Sequence, residues 1–174
     1  MRDSNDIRPE PAVYTEGRPE LSLGSRPFKE LLIEVLHKGA AFRFRAKGFS
    51  MSPFIKDTDI ITVAPLSGDK PRLGDVVAFL NTDTEELVIH RVIGKRDNSH
   101  FFIMGDNLPT RRHLVTISQI LGRVERVERD GRAVALGLGP EKALIALLSS
   151  RGILLPVLLP LWKVIRPFLK RSSR

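Results

Sequence analysis

Ser50, His90 and Asp106 are the side chains whose types could jointly carry a reaction. A serine hydroxyl is a weak nucleophile at neutral pH until a base takes its proton, and an imidazole can do that near pH 7. A carboxylate can then fix the imidazole tautomer and stabilise the imidazolium. Ser50 stands in Gly48-Phe49-Ser50-Met51-Ser52-Pro53. Gly48 frees the backbone to bend before Ser50 and lets a carbonyl approach N–H groups that would hold an oxyanion. His90 stands in Ile89-His90-Arg91-Val92, and Asp106 in Met104-Gly105-Asp106-Asn107. Taken singly, each has a plain structural reading: a turn, a half-buried strand residue, a second turn. Taken together they offer acyl transfer at Ser50. An unperturbed His90 titrates near pH 6.5, so a His90 base predicts activity that falls below that pH.

The elements that must position these groups are mostly strands. Phe42 to Ala46 alternates with period two. Asp59–Val63, Asp75–Leu80, Leu87–Ile93 and Phe101–Met104 are short β-branched or aromatic runs separated by Gly, Pro, Asn and Asp. Ile120–Glu128, Asp130-Gly131 and Arg132–Leu136 read as a closing hairpin. Before them, Phe28, Leu31, Leu32, Val35 and Leu36 line one face of a helix entered at Pro27 and stopped at Gly39. The expected fold is therefore mainly β: a compact, barrel-like domain over 27–139 with an N-terminal helix and a C-terminal helical segment. Residues 1–26, rich in charge, Pro and Gly, read as a flexible arm.

The ends of the chain differ in character. The 28 Lys and Arg exceed the 20 Asp and Glu by eight, and residues 151–174 supply six basic residues and no acid. Pro140 can open a helix in which Ala143, Leu144, Leu147 and Leu148 share a side. Gly152 to Trp162 is then uncharged but too short to span a bilayer, which needs about 20 apolar residues. An apolar segment edged by Trp162 and a basic tail suits an anionic lipid surface, so peripheral membrane contact through 140–174 is expected. Packing on the domain is the alternative. The basic residues flank Leu, Ile, Val and Pro rather than lining a groove-fitting element, which disfavours nucleic acid as a partner. No apolar run follows Arg2, so a secretory signal is not read and a cytoplasmic or membrane-associated location is expected. The absence of Cys excludes disulfides, thiolate zinc sites and Cys nucleophiles. The four His have no metal-motif spacing, so neither metal nor cofactor is expected.

The box from Gly48 to Pro53 resembles the nucleophile box of the type I signal peptidases and their LexA-like relatives. Gly74-Asp75-Val76-Val77-Ala78-Phe79 resembles the strand that follows. His90-Arg91-Val92 resembles the general-base box of the His-type branch, Gly105-Asp106-Asn107 the family's last box, and Gly122-Arg123-Val124 its closing strand. The match covers about residues 40–128, in order.

This resemblance implies a serine endopeptidase that needs no cofactor. Ser50 would be nucleophile, His90 general base and Asp106 the supporting acid. The Ser50 N–H, with Gly48 beside it, would serve the oxyanion, and Met51 would lie by the binding surface. Substrates would be extended peptides or proteins cut beside small residues. His-type members also carry a second acid after the Gly-Asp pair. Leu108 to His113 holds none, so either Asp106 substitutes or the triad is a dyad. Two readings compete. One is a self-cleaving, LexA-like regulator, although only one helix is readable where a helix-turn-helix would need two. The other is a catalytically degenerate domain that binds peptides or a partner.

Overall fold

The computed structural model describes residues 12–13, 25–108, 111–154 and 156. The helix expected after Pro27 is α1 (Arg26–His37). Ser25 caps it, its hydroxyl oxygen accepting from the Phe28 N–H, while Pro27 sits in the first turn where no N–H is missed. Its buried stripe is Phe28, Leu32 and Leu36. The stripe exists because these residues recur at helical spacing, and it covers one face of the sheet.

Nine strands form a single curled sheet among the described residues. They are β1 (Ala12–Val13), β2 (Phe42–Arg45), β3 (Ile60–Ala64), β4 (Val76–Asn81), β5 (Glu86–Lys95), β6 (His100–Met104), β7 (Arg112–Thr116), β8 (Ile120–Arg129) and β9 (Arg132–Ala133). Their order is β1-β2-β3-β8-β4-β5-β6-β7, with β9 on β8. Only β1, along β2, pairs in parallel. The long strand β8 bonds β4 through its first residues and β3 through its last, with a register shift in each pairing. Such bulges bend and twist strands. Asp130 and Gly131 both take positive φ, 51° and 73°, as a two-residue hairpin turn requires.

One core cluster joins α1 to β2, β3 and β8. Phe28 meets Phe42 and Phe44 edge-on, with centroids 5.6 and 5.3 Å away. A second cluster gathers Val77, Phe79, Val92, Phe101, Ile103, Val115 and Ile120. Period-two alternation explains the division: His90 and Arg91, neighbours on β5, point to opposite faces.

Two features depart from the expectations, and a third, the rotation of the C-terminal helix, is one that spacing alone does not set. β1 is a strand inside the segment read as an arm. β7 was not among the expected strands; of its five residues only Val115 is buried. The C-terminal helix, α2 (Lys142–Ser150), turns Ile145, Ala146 and Ser149 inward and leaves Leu144 and Leu147 exposed. Polar anchors set that rotation, because Lys142 Nζ donates to Asp75 at 2.6 Å and Ser149 Oγ to Asp106 at 3.2 Å. Ile145 then packs with Phe54 and Leu154. Residues 1–11 and 14–24 of the expected arm, and 155 and 157–174 of the apolar-basic tail, lie outside the described residues. No helix among the described residues is long and apolar enough to cross a membrane.

Candidate active site

Ser50 opens a tight turn that follows β2. Gly48 holds φ +95°, a conformation costly for any residue with a Cβ, and its N–H donates to Asp57 Oδ1 at 2.8 Å. Phe54 and Ile55 both donate backbone N–H bonds to the Met51 carbonyl, closing the turn. The Ser50 N–H bonds to none of the described residues, which leaves it available to an incoming oxyanion. Met51 is buried in the first core cluster and also lines the groove beside Ser50.

That groove has a volume of about 220 Å³. Phe44, Ala46 and Gly48 from the β2 side and Leu87, Val88 and Ile89 from β5 line it together with Ser50. The first half of β5 pairs with β4 on one side, whereas β6 begins to pair only at Arg91. One backbone edge of residues 86–90 therefore meets no strand among the described residues.

The Gly105-Asp106-Asn107 turn is welded to the Ser50 turn. Asn107 donates its N–H to the Ser50 carbonyl at 2.8 Å and its side-chain amide to the Phe49 carbonyl at 3.3 Å. Gly105 fills the space between Ser50 and His90. A Cβ there would lie 2.7 Å from the Ser50 carbonyl oxygen and 2.9 Å from His90 Nε2, so those two atoms are at most about 5.6 Å apart. No hydrogen bond joins the Ser50 hydroxyl to His90 among the described residues.

His90 is 4% exposed. Its pKa is pushed down to about 4, first by burial and then by His113 and Arg111 nearby. The ring is thus neutral at pH 7, with a lone pair to offer. For a base at His90, the acid limb expected near pH 6.5 would accordingly lie nearer pH 4, because a cation at that place would lack solvation.

Stability must follow the same shift. Above about pH 6.5 His90 is neutral in both folded and unfolded chains and contributes no pH dependence. Between 6.5 and about 4 the unfolded chain binds the proton and the folded chain does not, so folding weakens as pH falls, by up to about 3 kcal/mol. His113, also held low by burial and Arg111, adds in the same direction. We expect the urea midpoint to drop between pH 7 and pH 4, and to drop less in His90→Gln. Equal drops in both proteins would remove His90 as the source.

Asp106 does not stand behind His90. Its carboxylate accepts from Arg91 Nε and Nη2, both at 2.8 Å, and from Ser149 Oγ, while His90 Nδ1 has no partner among the described residues. Arg91 is fully buried. Its Nη1 donates to the Gly74 and Gly137 carbonyls at 2.8 and 2.7 Å, and its guanidinium lies 5.4 Å above the Phe54 ring. The reason is alternation. Asp106 lies on the Arg91 side of β5 and Gly105 on the His90 side. A signal for this was present in the sequence: Arg91 amid Val-Ile-His-Arg-Val-Ile must find a buried acid. The positioning roles of Gly105, Asn107 and Ser149 carried no such signal, because they depend on contacts between distant turns.

His113 on β7 lies beside His90, with ring centroids 5.6 Å apart. Among the described residues no three His, Asp or Glu side chains gather as a metal site. A comparison with curated proteins gives no match. A comparison with protein families matches residues 16–125 to one described as Peptidase S24-like, a family of serine peptidases. The match runs from ahead of α1 into β8, taking in both the Ser50 turn and the histidine strand that the fold brings against it. The chain therefore belongs to the Peptidase S24-like family.

Proposed function

We propose that this chain is a serine endopeptidase in which Ser50 is the nucleophile and His90 the general base. The observation that carries the reading is the approach of His90 Nε2 to the Ser50 turn across Gly105, at the wall of an apolar groove. His90, neutral at pH 7, takes the Ser50 hydroxyl proton at Nε2 as Oγ attacks the scissile carbonyl. The Ser50 N–H holds the oxyanion. The resulting imidazolium hands its proton to the leaving amine, and water releases the acyl group by the same steps. The open edge of residues 86–90 suits an extended peptide that adds as a strand, with small residues flanking the bond, as in the signal peptidases this chain resembles, and one apolar side chain in the groove. Peripheral membrane contact through 140–174 belongs to the same proposal, supported by the outward Leu144 and Leu147 of α2.

One observation favours a self-cleaving, LexA-like reading second. Ala12 and Val13 pair with Phe42 and Arg43, at the start of the strand that leads to Ser50. Chain ahead of the domain thus pairs with the strand that runs towards the nucleophile.

A peptidyl phosphonate probe tests the proposal. We expect covalent labelling at Ser50, none in Ser50→Ala, and a rate lower by on the order of a thousandfold in His90→Ala. Labelling that survives Ser50→Ala, or an inert wild-type protein, would overturn the enzyme reading in favour of a peptide-binding domain. A wild-type mass that falls on alkaline incubation, with Ser50→Ala unchanged, would favour self-cleavage.

A further inference from the structure

We propose that His113 is the positioning residue of His90, accepting a hydrogen bond from its Nδ1–H so that Nε2 stays unprotonated towards Ser50. The inference rests on the reading of His90 as the base.

A neutral imidazole carries one N–H and one lone pair. A base that works through Nε2 must hold its proton on Nδ1. In this fold Nδ1 is the one buried side-chain polar atom without a partner among the described residues. Left so, the ring gains by moving its proton to Nε2, which has Gly105 and Ser50 for neighbours, and the base is lost. The carboxylate that the sequence offered for this task, Asp106, is committed to Arg91 and Ser149 on the other face.

His113 is the polar ring that remains. It stands on β7 opposite Ile103, half-buried, with its plane at 43° to that of His90. Phe79 flanks both rings, at 6.3 Å from His90 and 5.6 Å from His113. No hydrogen bond joins the two rings as they stand; with ring nitrogens turned towards each other, a centroid separation of 5.6 Å would leave them roughly 3.3 Å apart, at the outer range of a hydrogen bond. The charged groups acting on the pair are Arg111, just before β7, and Asp83, in the turn between β4 and β5. Burial and Arg111 hold His113 below its ordinary value, so at pH 7 it is neutral and has a lone pair to accept with. The accepted hydrogen bond would also stabilise the imidazolium formed when Ser50 attacks.

Packing against Phe79 is the rival role, and three variants separate the two. His113→Phe keeps a ring and loses the acceptor, His113→Gln keeps an acceptor, and His113→Asp supplies a carboxylate. We expect Phe to slow Ser50 labelling by roughly tenfold to a hundredfold, with Gln within about threefold of wild type. Asp should be at least as fast as wild type, with its acid limb moved to higher pH, because a carboxylate favours the imidazolium. Nitrogen-15 NMR of His90 should show Nδ1–H in the wild type and Nε2–H in His113→Phe. Wild-type labelling and an unchanged tautomer in His113→Phe would overturn the inference while leaving His90 as the base. Wild-type labelling in His90→Ala would instead remove the base reading itself.

Discussion

Asp106→Ala should lower the unfolding free energy by about 3–5 kcal/mol, because it leaves the Arg91 guanidinium buried without its counter-charge. Both members of the pair have fully buried side chains, and the two parallel 2.8 Å bonds are the bidentate geometry that makes such pairs strong. Arg91 would keep its bonds to the Gly74 and Gly137 carbonyls, but these are neutral acceptors. α2 would also lose the Ser149 tie to the 105–107 turn. Urea unfolding at pH 7 measures the loss. Replacing both partners with apolar residues, as in Arg91→Met with Asp106→Leu, should recover much of it, since the desolvation cost of two ions goes with them. The same variant separates structure from chemistry. If Asp106 acts through Arg91 and not on His90, the folded fraction of Asp106→Ala should label at Ser50 with the pH dependence of the wild type. A stable protein with an altered pH profile would return Asp106 to the catalytic group.

Gly105→Ala should slow Ser50 acylation by about a hundredfold or more, since a displacement near 1 Å between reacting groups costs on that order. The new methyl would lie 2.7 Å from the Ser50 carbonyl and 2.9 Å from His90 Nε2, well inside contact distance. The Ser50 carbonyl cannot yield easily, because the Asn107 N–H holds it. His90 cannot retreat easily, because Phe79 and His113 stand behind it. Overpacking of this kind also destabilises, by about 1–3 kcal/mol, so the rate must be referred to the folded fraction. Labelling within threefold of wild type would mean that the distance between His90 and the Ser50 turn does not matter to the reaction.

Local patterns in the chain were enough to determine most of its elements, though not β1 or β7. Pro27 and Gly39 bound α1, and the apolar face of Phe28, Leu31, Leu32, Val35 and Leu36 contains its buried stripe, because helix-start and helix-stop signals and helical spacing act within a few residues. Alternation and β-branching mark β2 to β6, and Asp130-Gly131 marks the last hairpin for the same reason. β7 escaped because Arg112-His113-Leu114-Val115-Thr116 buries a single residue; its backbone bonds to β6 make it a strand, and backbone bonds leave no trace in side-chain order. α2 was legible as a helix, but its rotation was not. Leu144 and Leu147 are the more apolar side, yet Lys142 and Ser149 find their carboxylates on the other.

At the candidate site the division is sharper. Residue types alone picked out Ser50, His90 and Asp106 as candidates for chemistry and Gly48 as a bend. They could not show which carboxylate faces which base, because adjacent strand residues diverge and the partner of each is decided by a turn elsewhere in the chain. Arg91 takes Asp106 for that reason, and His113 comes beside His90 only because β7 closes against β6. Nor could they supply the acidity of His90, since that is set by how much water the assembled sheet lets reach the ring. Side-chain chemistry is a property of the residue and is readable in one dimension; distance and dielectric belong to the fold.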